Sequence, residues 1–279
     1  MHVMGKIKKI LESVRKHIPL NKASLTLLLV CSVLLLWGAV RACSGGAVRH
    51  DRRVYRIGRD INWYPLNLMG KEKEMLGFTS DVLMTIANKQ GINVEMRNVG
   101  SNTLFYGLQK GNYDAIISSL IPTSHNLETY AFSDTIYSLG PVLIVRNSSP
   151  YSSLEKMNDR IIGVNRGSNI VFDIAQYNVR FAAYDSMTVA FDDLNKGKID
   201  GILLPSIEAY SYVTIFYPGK LKIVTTPLSP EALRLVTMRS PHANYLIEKF
   251  NIGLKELKED GTYDKFLKKW GLVNPDLTK

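Results

Sequence analysis

The chain has 279 residues, of which 46% are hydrophobic and 22% are charged. This is the balance of an ordinary globular protein, so it excludes a disordered, a fibrous and a multi-span membrane chain. The formal net charge of +10 is unevenly placed, because residues 1–42 contain seven Lys and Arg and one Glu and so contribute +6. The rest of the chain contributes only +4, and we therefore expect no nucleic-acid partner.

The N-terminus combines a basic region with an apolar run. Six Lys and Arg residues come before Leu25, and the sixteen residues from there to Val40 carry no charge. A basic flank before an apolar run is typical of an export signal or an inner-membrane anchor. The sequence therefore predicts that residues 1–46 form a signal or membrane-anchor segment with a short linker. The remainder would lie in the periplasm or outside the cell.

The end of the apolar run leaves two alternatives for the membrane tether. The stretch Val40-Arg41-Ala42-Cys43 resembles the cleavage box of a bacterial lipoprotein, although Arg41 fits that box poorly. Either Cys43 carries a lipid, or the segment is an uncleaved anchor with an incidental cysteine. Cys31 lies inside the apolar run, so the exported part needs no disulfide, and the spacing of the two cysteines fits no zinc pattern.

From Val54 onward, short apolar runs alternate with helical patterns. Strands are predicted at 54–58, 92–96 and 115–120. One helix is predicted to be capped at Thr79-Ser80-Asp81 and to stop at Gly91, and a second, with Leu104, Phe105 and Leu108 on its apolar face, to stop at Gly111. Strands separated by helices indicate an α/β fold with parallel sheets.

One ten-residue pattern occurs twice, 86 residues apart. Residues 108–117 and 194–203 both read as a helix end, a Gly turn, an Asp and a buried strand, with seven of ten positions identical or similar. We infer two lobes built on the same plan, in which Asp114 and Asp200 fix turns. The matched strands end at Ser118-Ser119-Leu120 and at Leu204-Pro205-Ser206. Because ligands of parallel sheets lie beyond the carboxyl ends of the strands, facing lobes would bring both ends to one cleft.

Two further segments complete the reading of the chain. Residues 163–169 read as a strand, a Gly turn and a helix start at Ser168 or Asn169, whose free N–H groups would favour an anion; an ordinary turn is the alternative. Near the C-terminus, residues 246–257 carry one apolar stripe that we interpret as core. Gly261 ends that helix, and 263–270 make a last short one.

In this order, the segments resemble the bacterial extracellular solute-binding proteins of the polar amino-acid type, the family 3 substrate-binding proteins of ABC importers. The resemblance covers about residues 54–274. It rests on the opening strand and aromatic loop Gly58–Pro65, the Gly-Phe-x-x-Asp stretch in Leu76–Val82, the Leu-x-x-Gly-x-x-Asp strand Leu108–Leu120, Phe132–Asp134 with Tyr137, and Gly261–Tyr263 with Lys269–Gly271.

The resemblance implies a type II periplasmic-binding-protein fold, in which two α/β lobes are joined by two crossover strands. Lobe one would comprise residues 54–138 plus 229–279, and lobe two residues 139–228. It also implies a mechanism: the hinge closes around a small polar solute, an amino acid or related metabolite, and the protein then docks on the ABC permease in the cytoplasmic membrane.

Some positions depart from the family pattern. The resemblance places Asn126 where the family has a carboxylate-binding Arg, and Pro205 where it has an ammonium-binding Asp. Ile121 replaces a hydroxyl, and Ser101 stands near a second aromatic wall. Because a desolvated charge without its counter-charge is costly, ordinary α-amino acids should bind poorly. Arg166 could replace the lost cation, the ligand could be neutral or differently charged, or the protein could have another role.

The predicted ligand-binding residues combine retained and altered positions. They are Asp60, Trp63 as a flat apolar wall, Ser118, Ser119, Leu120, Thr123, Asn126, Arg166, Gly167, Ser168, Asn169 and Pro205. We predict no catalytic residue, metal ligand or cofactor, since the sequence offers no Ser-His-Asp order and no metal cluster. A membrane-tethered transport receptor is therefore expected rather than an enzyme. The alternatives are a sensor or assembly lipoprotein that keeps this fold, and a small-molecule lyase or hydrolase.

Overall fold

The structure is a computed structural model, and it describes residues 53–277. The predicted signal or anchor segment 1–46, with the lipidation candidate Cys43, lies outside the described residues. Between residues 53 and 277, no helix combines the length and the apolar character that a membrane span requires.

Eleven strands between residues 53 and 277 form two separate sheets. They are β1 (Val54–Asp60), β2 (Asn93–Val99), β3 (Ala115–Ser118), β4 (Tyr130–Phe132), β5 (Tyr137–Ser138), β6 (Pro141–Arg146), β7 (Ile161–Asn165), β8 (Arg180–Tyr184), β9 (Gly201–Pro205), β10 (Leu221–Ile223) and β11 (Ala232–Met238). The first sheet has the order β2-β1-β3-β11-β4, with β5 also paired to β11, and the second has the order β8-β7-β9-β6-β10.

The two sheets follow the same plan. In each, three strands are parallel: β2, β1 and β3 in the first sheet, and β8, β7 and β9 in the second. An antiparallel strand follows in each, β11 beside β3 and β6 beside β9. The α/β class is therefore confirmed, but the expectation of parallel sheets was wrong. Both sheets are mixed because each includes a strand adjoining a chain crossover.

Eight α-helices of the described chain connect and cover the strands. They are α1 (Glu72–Gln90), α2 (Ser101–Gln109), α3 (Ser124–Thr129), α4 (Ile170–Asp173), α5 (Met187–Asn195), α6 (Ser206–Ser211), α7 (Pro241–Glu259) and α8 (Thr262–Lys269). A 3-10 turn at Leu154–Lys156 and a π-helical turn at Tyr212–Phe216 complete the set.

Helix α1 begins seven residues before the predicted cap at 79–81. Its apolar face extends back to Met75, which is fully buried, so packing and not a cap sets the start. The Thr79 hydroxyl donates to the carbonyl of Met75 at 2.8 Å inside the helix. Asp81 accepts bonds of 2.7 Å from Lys269 Nζ and from Trp270 Nε1, so it ties α1 to the C-terminal end of the chain. The predicted stop is confirmed, since Gly91 adopts a left-handed φ of 65°.

Asp114 and Asp200 hold equivalent places in the two sheets. The Asp114 N–H donates to Arg56 O at 2.8 Å, and Asp114 Oδ2 accepts from Arg56 N–H at 2.9 Å. Asp200 makes the same pair with Ile161, at 2.8 and 3.0 Å. Each Asp therefore anchors the start of its strand to the neighbouring strand.

The first sheet packs against α1, α7 and α8. The C-terminal stripe is core as predicted, because Leu246, Phe250, Leu254 and Leu257 are each at most 1% exposed. The second sheet is covered on both faces, which is why β6 is buried throughout except for its last residue.

The chain crosses between the sheets twice, through segments that lie side by side. The N–H groups of Leu139 and Gly140 donate to Glu231 O at 2.8 and 3.1 Å. A Cβ on Gly140 would stand 2.7 Å from Ser229 O, so only glycine permits this approach. The predicted lobe boundaries at 138–139 and 228–229 fall in these segments, and the division into two lobes stays a prediction.

Candidate functional site

A cleft of about 420 Å³ opens at the carboxyl edge of β1 and β3. The edge is formed because β1 and β3 are parallel neighbours, so the loops that follow them leave the sheet together. Fifteen residues line the cleft: Asp60, Trp63, Tyr64, Pro65, Leu66, Ser101, Leu104, Phe105, Ile117, Ser118, Ser119, Leu120, Ile121, Thr123 and Asn126.

Seven of the predicted ligand-binding residues meet in this cleft. They are Asp60, Trp63, Ser118, Ser119, Leu120, Thr123 and Asn126. They come from two strand ends that lie about 60 residues apart in sequence, and the parallel pairing brings them together. Their role as ligand contacts stays a prediction.

Asp60, the last residue of β1, gives the cleft its charge. It is 4% exposed, and its Oδ1 accepts a hydrogen bond of 2.9 Å from Asn62 N–H. Within this described lining it is the one carboxylate, and the lining contains no Lys, Arg or His. The wall therefore presents a single negative charge.

The polar groups that follow β3 make hydrogen bonds within their own loop. Thr123 caps α3, because its Oγ1 accepts from Asn126 N–H at 3.2 Å. Asn126 Nδ2 donates to Ile121 O at 2.8 Å, and Ser118 Oγ accepts from Leu120 N–H at 3.1 Å. The Asn126 amide thus closes a local turn. The Thr123 and Ser118 hydroxyls still have a proton to donate.

The aromatic part of the wall differs from the prediction. Trp63 lines the cleft but is 3% exposed, since its ring packs in the core and its Nε1 donates to Glu72 O at 3.2 Å. The neighbouring Tyr64 is 75% exposed, and Phe105 lines the cleft from α2. Sequence reasoning missed both as site residues. Tyr64 stands in the aromatic loop beside Trp63, whereas Phe105 had the spacing of a core residue.

The five predicted site residues of the second sheet do not line this cleft. They are Arg166, Gly167, Ser168, Asn169 and Pro205. Arg166 forms an exposed ion pair with Asp185, and this hydrogen bond raises the pKa of the guanidinium. The helix after Asn169 is α4, which has a single turn. The N–H of Ile170 at its start already donates to Ser168 Oγ at 3.3 Å. The helix start therefore gives little support for the predicted anion site.

A second contact between the two halves lies at α6, which follows Pro205. Ile207 is 4% exposed and packs into the core of the first sheet. Burial raises the pKa of Glu208, and a hydrogen bond with Asn67 opposes that rise. Asn67 directly follows the cleft residue Leu66. Sequence reasoning missed this contact, because no local pattern marks it.

The described residues offer no obvious metal centre. Between residues 53 and 277, no group of three or more His, Cys, Asp or Glu side chains is arranged to hold an ion. The cleft lining itself offers the Asp60 carboxylate, hydroxyl groups and apolar side chains.

The structure thus has a cleft at the edge of one mixed sheet, a second sheet of the same strand order, and two adjacent chain crossings between the sheets. Residues 55–273 match the family model of the bacterial extracellular solute-binding proteins, family 3, and the chain belongs to this family. The resemblance in the sequence is thereby confirmed. The family and the relatives that match this chain are solute-binding receptors.

Individual relatives agree with this assignment. The chain is 27% identical over 255 residues to the lysine/arginine/ornithine-binding periplasmic protein of Escherichia coli (strain K12), across 86% of this chain and 95% of that protein. It is 23% identical over 256 residues to a probable histidine-binding protein of Neisseria gonorrhoeae, across 87% and 92%.

A solved structure supports the fold. The L-cystine solute receptor of Neisseria gonorrhoeae, in its unliganded open conformation, matches with a TM-score of 0.64 at 18% identity, across 84% of this chain and all of that one. Such neighbours have the type II periplasmic-binding-protein fold with mixed α/β sheets, which confirms that part of the fold prediction.

Proposed function

We propose that this protein is an exported receptor that binds a small polar solute and delivers it to an ABC importer. The observation that carries the proposal is the cleft at the carboxyl edge of β1 and β3. Family membership gives the class of function, and the cleft gives this chain a place to bind a solute. The solute would be an amino acid or a related metabolite.

Hinge closure would complete the site. The cleft lining belongs entirely to the first sheet and to the loops and helices that follow its strands, so a solute bound there would leave one side uncovered. Rotation about residues 139–140 and 228–231 would bring the second sheet over it, including the loop at Arg166–Asn169. A ligand that contacts both halves stabilises the closed state selectively, and that state is the one a permease can recognise.

Tethering and location are the remaining parts of the proposal. The basic and apolar segment 1–46 would hold the receptor at the cytoplasmic membrane, through a lipid on Cys43 or as an uncleaved helix. The binding domain would then work in the periplasm or at the cell exterior, beside the permease.

A thermal-shift screen of the full-length chain in mild detergent tests the binding function. The panel contains amino acids, small peptides, and neutral, anionic and cationic metabolites. A solute present at a hundred times its dissociation constant adds about 2.7 kcal/mol to the free energy of unfolding. We expect at least one clear upward shift in Tm. A panel without any shift would contradict the proposal.

A blocking variant locates the site. Ser119 lines the cleft, so Ser119→Phe should fill it and abolish the shift. Ser152→Phe adds the same ring at an exposed serine outside the lining and should keep the shift. If Ser119→Phe folds and still shows the wild-type shift, the solute binds elsewhere.

A further inference from the structure

The buried charge of the cleft lacks a counter-charge within the described chain. Asp60 is 4% exposed, and none of the ion pairs formed between residues 53 and 277 involves it. Among the described residues, its carboxylate accepts one hydrogen bond, from the N–H of Asn62. Burying a carboxylate costs free energy unless the carboxylate is paired with a positive charge. A bound cation would supply the counter-charge that the described residues do not give Asp60.

The same wall is poorly suited to a carboxylate. The described lining contains no Lys, Arg or His, and the Asn126 amide already donates to Ile121 O. Hydroxyl donors remain at Thr123 and Ser118, but neutral donors hold an anion less strongly than charged ones. An anionic group in the cleft would also face the like charge of Asp60 at low dielectric.

Arg166, the basic residue of the second sheet that the sequence predicted for the site, does not offer a free positive charge. The guanidinium of Arg166 is engaged by Asp185 at an exposed position. Glu208 of α6 is half-buried and hydrogen-bonded to Asn67, which directly follows the cleft residue Leu66. The one basic residue that the sequence predicted for the site is therefore already engaged by a carboxylate.

The remaining wall suits the body of an organic cation. Tyr64 and Phe105 present aromatic rings, which attract ammonium and guanidinium groups. Leu66, Leu104 and Leu120 offer apolar contact for an alkyl chain. The volume of about 420 Å³ lies in the range of small-molecule sites.

We propose that the cleft takes an organic cation that carries no carboxylate, such as an alkyl diamine, a guanidino amine or an imidazolyl amine. Its charged group would bind Asp60, and its chain would lie along the leucine and aromatic wall. This inference rests on the proposed function and names the substrate class of that same site.

Matched pairs that differ only by a carboxylate test the substrate class. The full-length chain is titrated by calorimetry with cadaverine against lysine, agmatine against arginine, and histamine against histidine. We expect at least one amine to bind at least tenfold more tightly than its amino acid. Amino acids that bind as tightly as their amines in every pair, or six probes that all fail to bind, would overturn the inference.

A charge-neutral variant tests the role of Asp60. Asp60→Asn should weaken binding of the amine by at least about 30-fold, the loss expected when one partner of a buried charge pair is removed. Asp159→Asn removes an exposed carboxylate outside the lining and should leave the affinity within twofold. An Asp60→Asn protein with unchanged Tm and unchanged amine affinity would overturn the inference.

The outcomes also separate this inference from the proposed function. Tight binding of an amino acid with no binding of its amine would reject the cation class and keep the receptor. If none of the six probes binds, the neutral and anionic solutes of the thermal-shift screen decide whether the receptor function survives.

Discussion

The two sheets of this protein share one plan, and they differ where a ligand would bind. Helices α2 and α5 both have nine residues, and each is followed by a Gly with positive φ, an anchoring Asp and a buried strand. The central strand of each parallel set leads into a helix of very different length. In the first sheet, β1 leads into the 19-residue helix α1, whereas in the second sheet β7 leads into the four-residue helix α4. In the first sheet, the cleft lies where β1 and β3 end. In the second sheet, the segment after β7 instead includes Phe172 of α4, whose side chain is 76% exposed.

This difference separates what builds the fold from what recognises a solute. The reciprocal bonds of Asp114 and Asp200 recur because they register parallel strands, whatever the ligand. The residues after the strand ends are free to diverge, since they contribute little to pairing. If the proposed function holds, the specificity of the cleft depends on the segments that follow β1 and β3.

The largest expected effect concerns the contact that joins the two halves. Ile207 belongs to a helix that follows β9, yet its side chain is buried in the core of the first sheet. Ile207→Ala should lower the free energy of unfolding by about 2–5 kcal/mol, as for other deletions from a core. Urea unfolding measures the loss. Ile215→Ala, at a position 61% exposed, should cost less than about 0.5 kcal/mol. Equal losses would show that α6 is not held by the first sheet.

The two anchoring aspartates should differ in strength. Asp114 also accepts bonds from the side chains of Arg53 and Arg56, whereas Asp200 Oδ2 accepts from the N–H of Ile161. We expect Asp114→Ala to cost about 2–3 kcal/mol and Asp200→Ala about 1–2 kcal/mol, measured by urea unfolding. Equal costs would contradict the stronger anchor in the first sheet.

Acid should reduce the contribution of Asp114. Burial raises the pKa of the Asp114 carboxyl, but the hydrogen bonds from Arg56 and Arg53 outweigh this effect and lower it below 3.8. Its stabilisation is therefore present above that pH and is lost as the pH falls through the lower pKa of the folded state. The stability gap between wild type and Asp114→Ala should shrink as the pH drops below about 4. A gap that widens there would contradict the depressed pKa.

The smallest expected effect is at Arg166. Its guanidinium pairs with Asp185 at the surface, and the residue is outside the cleft lining. Arg166→Ala should leave the affinity for an organic cation within about twofold, measured by calorimetry, because a guanidinium paired with Asp185 offers a cationic solute no counter-charge even when closure brings its loop over the cleft. A loss of tenfold or more would show that closure carries Arg166 to the ligand, as the sequence allowed.

Local chemistry predicted much of the fold. The stops at Gly91 and Gly111 are set by glycines that adopt positive φ, and the alternation of strands and helices gave the α/β class. Long-range contacts could not be predicted in the same way. Asp81 was expected to cap a helix, but it lies inside α1 and binds Lys269 and Trp270, which are nearly 190 residues away in sequence.

The site was predictable to a similar degree. Asp60 and Ser118 follow from the rule that ligands lie at strand ends, and the cleft brings them together. The sequence does not show which of the neighbouring aromatic residues Trp63 and Tyr64 is exposed in the cleft. That depends on which ring packs in the core, and the two residues have the same sequence neighbourhood. The engagement of Asn126 with Ile121 and of Arg166 with Asp185 is likewise a matter of tertiary structure.

The central claim is that the two halves close over a solute held at Asp60. Its most direct test is a distance measurement by double electron–electron resonance between spin labels at Asn102→Cys and Thr188→Cys, both exposed on the equivalent helices α2 and α5. Cys31 and Cys43 are replaced by serine. The solute with the largest thermal shift, expected to be an amine such as cadaverine, should shorten the distance in the otherwise native chain and not in Asp60→Asn. A solute that binds and leaves the distance unchanged would contradict the account.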